Sequence, residues 1–217
     1  MKFTHLIISK INIKWLPQSY DEVWLEKRIK LFNETLRPSI VGQTNKNFKF
    51  VTLWGYEPQD VIDNEYPIMI DAEGASRIYD EMIPKLRELI DEEYVLTTRV
   101  DSDNALGETF VETLHNAITT NVPYYYDIKS MDMYDRRSGL KKHWIKNKTS
   151  GFISAMERTE DFICIPNSGN HGTLGNLYNG MSFDNDVLLT VHGDNHCVKH
   201  TIGHPSGFSL KKYNVKF

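Results

Sequence analysis

The residues best placed for chemistry lie at Val95-Leu96-Thr97-Thr98-Arg99-Val100-Asp101-Ser102-Asp103-Asn104, where an apolar, β-branched run stops at two carboxylates. Asp101 and Asp103 share a face if the strand continues, and supply one direct and one outer carboxylate if it turns. Either arrangement suits a hard divalent cation, Mg²⁺ or Mn²⁺, which takes oxygen ligands and leaves positions for substrate oxygens. The competing use of this triplet is a turn in which Asp103 or Asn104 caps the next helix. His192 closes a second apolar run, Val187 to Val191, and Gly193 after it allows close approach of a ligand. Its imidazole is either a further metal contact or a hydrogen-bonded structural group. His192, His196, His200 and His204 recur every four residues around Cys197, but Gly193, Gly203 and Pro205 argue against the single helix that a zinc cluster of that spacing needs.

These side chains need strands that end on one edge, and the pattern supplies them. His5 to Ser9 reads as a strand buried on both faces. Ser19 and Glu22 have capping-box spacing for a helix whose apolar face is Leu25, Ile29, Phe32 and Leu36, ending at Arg37-Pro38. Phe48 to Gly55 is a second strand, which makes a parallel βαβ unit. Pro67 to Ile70 is a third, followed by a helix of Ile78, Met82, Leu86 and Leu89 that Pro84 interrupts. Its acidic end, Glu88 to Glu93, reads as solvated surface. Val95 to Val100 is then a central strand and Leu106 to Ile118 a helix, so the aspartates fall between strand and helix. In an open α/β sheet that edge is where ligands bind. Tyr124 to Tyr134, Lys142 to Lys146, Gly151 to Met156, Asp161 to Ile165 and Val187 to Val191 read as further strands, and Asn167 to Gly172 as a turn-rich loop. The basic group Arg136, Arg137, Lys141, Lys142, Lys146 and Lys148 is either a solvated hairpin or a phosphate or acceptor surface.

With 217 residues, 40% apolar and 25% charged, the expectation is a single domain over residues 1–217. A net charge of −4 gives no general affinity for nucleic acid or an anionic membrane. Two cysteines point to a reducing, cytoplasmic setting, and no stretch reaches the roughly 18 to 20 apolar residues of a membrane span. The P-loop, the dinucleotide-binding glycine fingerprint and the nucleophile elbow are all missing, which removes the main support for nucleotide hydrolase, nicotinamide dehydrogenase and serine esterase chemistry.

The sequence resembles nucleotide-sugar glycosyltransferases of the GT-A type, and within them a bacterial and phage rhamnosyltransferase group. The resemblance is carried by Lys10-Ile11-Asn12, Trp24 to Phe32, Arg37-Pro38-Ser39-Ile40, Gly42-Gln43-Thr44 and Phe48 to Leu53. It continues through Thr97 to Ala105, Ser150 to Glu157 and Thr190-Val191-His192-Gly193-Asp194-Asn195, so nearly the whole chain takes part. Lys10-Ile11-Asn12 departs from the Arg-Phe-Asn of the group. The resemblance implies an α/β, Rossmann-like GT-A fold with a mixed, mainly parallel sheet flanked by helices. It also implies a nucleotide-sugar donor, rhamnose by the name of the group, and a glycan or other hydroxyl acceptor; the net charge and the apolar run lengths add the expectation of no nucleic acid and no integral membrane segment. A Mn²⁺ or Mg²⁺ ion on Asp101, Asp103 and His192 would bridge the donor diphosphate, with Lys10, Asn12, Arg99, Asp101 and Asn195 toward the nucleotide. Arg99 either reaches the phosphates or pairs with a core carboxylate. An inverting transfer needs a general base, for which Glu157 is the first candidate and Asp135 and Asp132 are rivals; a retaining one does not. A metal-dependent phosphoester hydrolase and a non-catalytic glycan-binding module are the alternative functions.

Overall fold

The computed structural model describes residues 1–13, 21–58, 60–119, 122–145, 150–167, 178–192 and 204–217. Its first strands follow the expected βαβ pattern: β1 (Phe3–Lys10), α1 (Glu22–Glu34), α2 (Leu36–Val41), β2 (Lys49–Trp54), β3 (Glu65–Met69), α3 (Ala75–Arg87) and β4 (Tyr94–Arg99). After them come β5 (Ala105–Leu106), α4 (Phe110–Ala117), β6 (Tyr124–Ile128), β7 (Ser130–Asp135), β8 (Lys141–Ile145), β9 (Ser154–Arg158), β10 (Asn179–Phe183), β11 (Val187–Val191) and β12 (His204–Pro205). The larger sheet runs β10-β6-β9-β4-β1-β2-β3, with β9 antiparallel to both its neighbours and the other pairs parallel. This is the mixed, mainly parallel sheet expected. A second sheet runs β12-β8-β7-β11-β5.

Burial explains the arrangement. Leu6, Ile7 and Ile8 are at most 1% exposed, so β1 is covered on both faces. One face, through Ile7, Phe50, Leu96 and Met156, joins a core with Phe32, Leu36 and Phe110, and with Met131, Met133 and Val191 of the second sheet. The other, through Leu6, Ile8, Val51 and Val95, receives Ile78, Met82 and Leu86 of α3. Truncating a side chain such as Leu86 to alanine costs about 2–5 kcal/mol. Gly180 marks a close approach between β10 and β6, since a Cβ there would lie 2.2 Å from the Tyr125 ring.

Several local expectations are corrected. α1 is capped by Asp21, whose Oδ1 accepts from the Val23 and Trp24 amides at 2.8 and 3.2 Å; Ser19 lies outside the described residues. Arg37-Pro38 does not terminate a helix. α1 ends at Thr35, and Pro38 sits in the first turn of α2, where amide groups have no intrahelical acceptor and proline costs little. Pro84 does not interrupt α3. It is exposed on the solvent side, as is Asp80 one turn earlier, so water can take the carbonyl it leaves unbonded while Ile78, Met82 and Leu86 stay buried against the sheet. Residues 124–134 form two strands in different sheets, and residues 105–106 form a short strand ahead of α4. The strand expected from Gly151 begins at Ser154. Asp161 to Ile165 is not a strand: Cys164 has φ +57° and Ile165–Asn167 is a 3₁₀ turn. Its amides at Ile163 and Ile165 are taken by the Glu157 carboxylate rather than by a neighbouring strand.

Candidate functional site

The C-terminal ends of β1, β2 and β4 reach the same edge of the larger sheet, and residues 101–104 turn there. The turn is closed by the Asn104 amide donating to the Asp101 carbonyl at 3.0 Å. It is tied to the end of α1 by Thr35 Oγ1 donating to the Ser102 carbonyl at 3.2 Å. It is tied to β11 by Thr190, whose amide donates to Asn104 Oδ1 at 3.1 Å and whose hydroxyl donates to the Asp103 carbonyl. Asn104 is therefore a buried bridge between the two sheets, not a helix cap.

This frame brings Asp103 and His192 together. Asp103 Oδ2 receives Arg28 Nη1 of α1 at 2.8 Å and lies 3.1 Å from His192 Nε2. Burial, the largest single effect, would raise the Asp103 pKa; the Arg28 charge and the His192 hydrogen bond and charge together pull it down to about 2. The carboxylate is thus buried yet ionised. Arg28 was not singled out in the sequence, because its i+75 partner lies on another element; its place four residues before Phe32 was the only signal. Asp101 is half-exposed, with Oδ1 3.3 Å from Arg99 Nη2. Lys10 lies close to both: burial first, then repulsion from Arg99, lowers its ammonium pKa, and Asp101 and Cys164 oppose that. Arg99 thus faces Asp101 and Lys10 at the site edge.

None of the remaining candidates pairs with Asp103 among the described residues. Asn12 is buried, and its Oδ1 accepts from the Gly55 amide at 2.9 Å, joining the ends of β1 and β2. It also lines an open cleft of ≈ 740 Å³ with Leu25, Ile29, Tyr56 and the carboxylates of Glu26 and Glu57. Asp135 ends β7 opposite Val191, one residue before His192. Its carboxylate accepts from the Arg137 amide at 3.0 Å; hydrogen bonds and the Arg137 charge outweigh the larger effect of desolvation and lower its pKa. Glu157 stands opposite Val95, six residues before Asp101 along β4, which at ~3.3 Å per residue puts it about 20 Å from the turn. The structure does not bring it to Asp103. Asp132 receives Tyr213 Oη and Lys212 Nζ, both at 2.8 Å, and pairs with His143 at 2.8 Å, which anchors the C-terminal segment on the second sheet. In the basic group, Arg136 pairs with Glu34, Arg137 with Asp135, and Lys141 bonds the Phe208 carbonyl, so these three serve the hairpin and its packing. Asn195, His196, Cys197, His200, Lys146, Lys148 and the 168–172 part of the expected loop lie outside the described residues. Among the described residues no three His, Cys, Asp or Glu side chains converge into a metal cluster, and no helix is long and apolar enough to cross a membrane.

Residues 16–203 match the family described as "Putative rhamnosyl transferase". The chain belongs to that family. The match includes Arg28, Arg99, Asp101, Asp103 and His192, and ends before the β12 strand. Two solved structures are similar. One is TarS of S. aureus, at 13% identity and TM-score 0.46, covering 88% of this chain and 37% of that one. The other is described as a "putative nucleotide-diphospho-sugar transferase" from Desulfovibrio desulfuricans G20, at 9% identity and TM-score 0.40, covering 84% of this chain and 80% of that one. The chain thus spans little more than a third of the TarS structure. No curated protein matches it in sequence.

Proposed function

We propose that this member of the rhamnosyl transferase family moves a sugar, with rhamnose the family's namesake, from a nucleoside-diphosphate donor to a hydroxyl acceptor. The observation that carries the reading is a buried carboxylate held ionised at the C-terminal edge of a parallel sheet, with Arg28, His192, Lys10 and Arg99 around the same turn. Cleaving the sugar leaves added negative charge on the diphosphate, and preplaced cationic side chains stabilise charge that develops there. Lys10 and Arg99, next to one another and to the half-exposed Asp101, are the residues assigned to the phosphates.

The metal set that the resemblance implies, Asp101 and Asp103 with His192, is not assembled as a three-ligand group among the described residues. Asp103 Oδ1 makes no hydrogen bond among the described residues, because Arg28 and His192 both meet Oδ2. The Asp101 carboxylate is half-exposed two residues away. Ser102 Oγ, between them in sequence, is buried without a partner among the described residues. The chain's own residues bind and orient the phosphates and keep Asp103 ionised.

The test is thermal denaturation of the chain with a panel of nucleotide sugars, with and without Mn²⁺, followed by a transfer assay on any donor that stabilises it. A donor at 100 times its dissociation constant stabilises by about 2.7 kcal/mol. Stabilisation by a nucleotide sugar and turnover that needs an acceptor support the reading. Phosphate release from simple phosphoesters with no sugar requirement, or glycan binding that ignores both donor and Mn²⁺, would replace it.

A further inference from the structure

We infer that the C-terminal strap, residues 209–217, is a positioning element of the donor site, and that its Asn214 and Lys216 set how α1 presents Arg28 to Asp103. The inference rests on the donor site proposed above and deepens it, through residues that lie beyond the 16–203 matched to the family.

The two side chains that meet the Asp103 carboxylate come from different layers. Arg28 stands on α1, and His192 follows β11 of the second sheet. Their placement on one oxygen therefore depends on what joins α1 to that sheet. The strap bonds to both. On the sheet side Tyr213 is 1% exposed, with Oη 2.8 Å from Asp132 Oδ2 on β7 and 3.2 Å from the Val187 carbonyl at the start of β11. Lys212 Nζ adds Asp132 and Asp186, at 2.8 and 2.7 Å. On the helix side Asn214 turns the chain with φ +52°, and its Nδ2 donates to the Pro38 carbonyl of α2 at 2.8 Å. The Lys216 amide then donates to the Glu34 carbonyl at the end of α1, at 2.8 Å. Carbonyls in the last turn of a helix have no intrahelical donor, so the strap takes up a bond that α1 leaves open. Gly42 makes room for this approach, since a Cβ there would lie 3.1 Å from Asn214 Cβ. Arg136, over the Phe217 ring at 4.6 Å, pairs with Glu34 and closes the same corner.

The strap thus grips α1 one residue before Thr35, which holds the Ser102 carbonyl of the turn. Arg28 lies back along the same helix, about 9 Å away at 1.5 Å per residue. A shift of the helix end moves Arg28 with it, and a misplacement of about 1 Å costs as much as a hundredfold in activity. α2 also meets β5 of the second sheet, where Ser39 Oγ accepts from the Leu106 amide at 3.2 Å, so the layers stay together when one strap bond is lost.

The experiment uses the full chain as wild type, Asn214→Gly, Arg28→Lys and the double variant. Glycine keeps the left-handed turn at residue 214 and removes the amide donor. UDP, GDP and dTDP are titrated into each by calorimetry with Mn²⁺ present, at a temperature where circular dichroism shows every protein folded. A diphosphate that binds wild type is expected to bind Asn214→Gly about tenfold more weakly, and Arg28→Lys is expected to weaken binding less in the Asn214→Gly background than in wild type. A bond that only stabilises the fold would lower the melting temperature and leave both the affinity of the folded protein and the Arg28 effect unchanged. If Asn214→Gly does not fold, the same cycle with Lys216→Pro, which removes the amide at the exposed end of the strap, decides the matter. Equal affinity in wild type and strap variant, or additive effects with Arg28→Lys, overturns the inference and leaves the donor site standing. Failure of wild type to bind any of the three overturns the donor site and the inference with it.

Discussion

The β4–β9 strand pair carries two buried carboxylates at its opposite ends, and they answer burial in opposite ways. Asp103, just past the C-terminal end of β4, is 7% exposed and has a pKa of about 2. Glu157, on β9 opposite the start of β4, is 2% exposed and is raised to about 7. Burial is the largest effect on each. Asp103 meets an arginine and a histidine that overcome it, whereas Glu157 meets the Ile163 and Ile165 amides, both at 2.9 Å, which offset it only in part. Amide hydrogen bonds with only a smaller contribution from the Arg87 charge hold a loop, while a cation paired directly with the carboxylate keeps a charge available. The difference separates a carboxylate suited to a charged ligand from one that pins the 163–165 segment to the sheet.

The largest effect expected from this contrast is at Asp103. Asp103→Asn should lower transfer by about a hundredfold or more, the scale seen when a preplaced electrostatic contact is removed, while circular dichroism shows the fold retained. Unchanged turnover would erase the distinction between the two ends. Next in size, Lys10→Met and Arg99→Met should each weaken donor binding by about ten- to a hundredfold, as loss of a charged hydrogen bond does, seen as a raised donor KM.

Glu157→Gln should leave turnover within about twofold but change how stability depends on pH. The folded pKa of about 7 lies above the unfolded value near 4.3, so the folded chain holds a proton that the unfolded chain releases between them. The contribution of this group is greatest below about pH 4.3 and is lost as pH rises to about 7, by up to about 4 kcal/mol. Denaturant unfolding across that window should show the slope in wild type and not in the variant; a matching slope in both would place the proton elsewhere. Asp135→Asn should do least, changing stability by less than about 1 kcal/mol and turnover only a few-fold. A collapse of transfer with donor affinity intact would instead make Asp135 the acceptor's base.

The same contrast shows what the sequence could convey. The apolar runs around Ile7, Val51 and Leu96 announced parallel buried strands, and the abrupt stop at Asp101 marked the edge where the site lies. His192 was legible for the same reason, as a polar residue closing an apolar strand, and the structure puts it on Asp103. Arg28 was not legible, since its partner is fixed by the crossing of α1 over the sheet edge and not by any spacing along the chain. Glu157 ends an apolar strand just as Asp101 does, but β9 runs antiparallel, so the end of that strand is the far edge of the sheet. Strand direction is a tertiary property, and the position of Glu157 at the end of an apolar strand carries no information about which edge of the sheet that end reaches. The 162–165 segment failed similarly: Phe162-Ile163-Cys164-Ile165 is a continuous apolar run of the kind a buried strand has, but Glu157 captures amides that a strand would have paired.

Titration of UDP, GDP and dTDP into the chain by calorimetry in the presence of Mn²⁺, compared among wild type, Asp103→Asn and Glu157→Gln, tests the central claim most directly. The account predicts that at least one nucleoside diphosphate binds wild type and Glu157→Gln with equal affinity and binds Asp103→Asn at least about tenfold more weakly. Equal binding by Asp103→Asn, or loss of binding in Glu157→Gln alone, would contradict it.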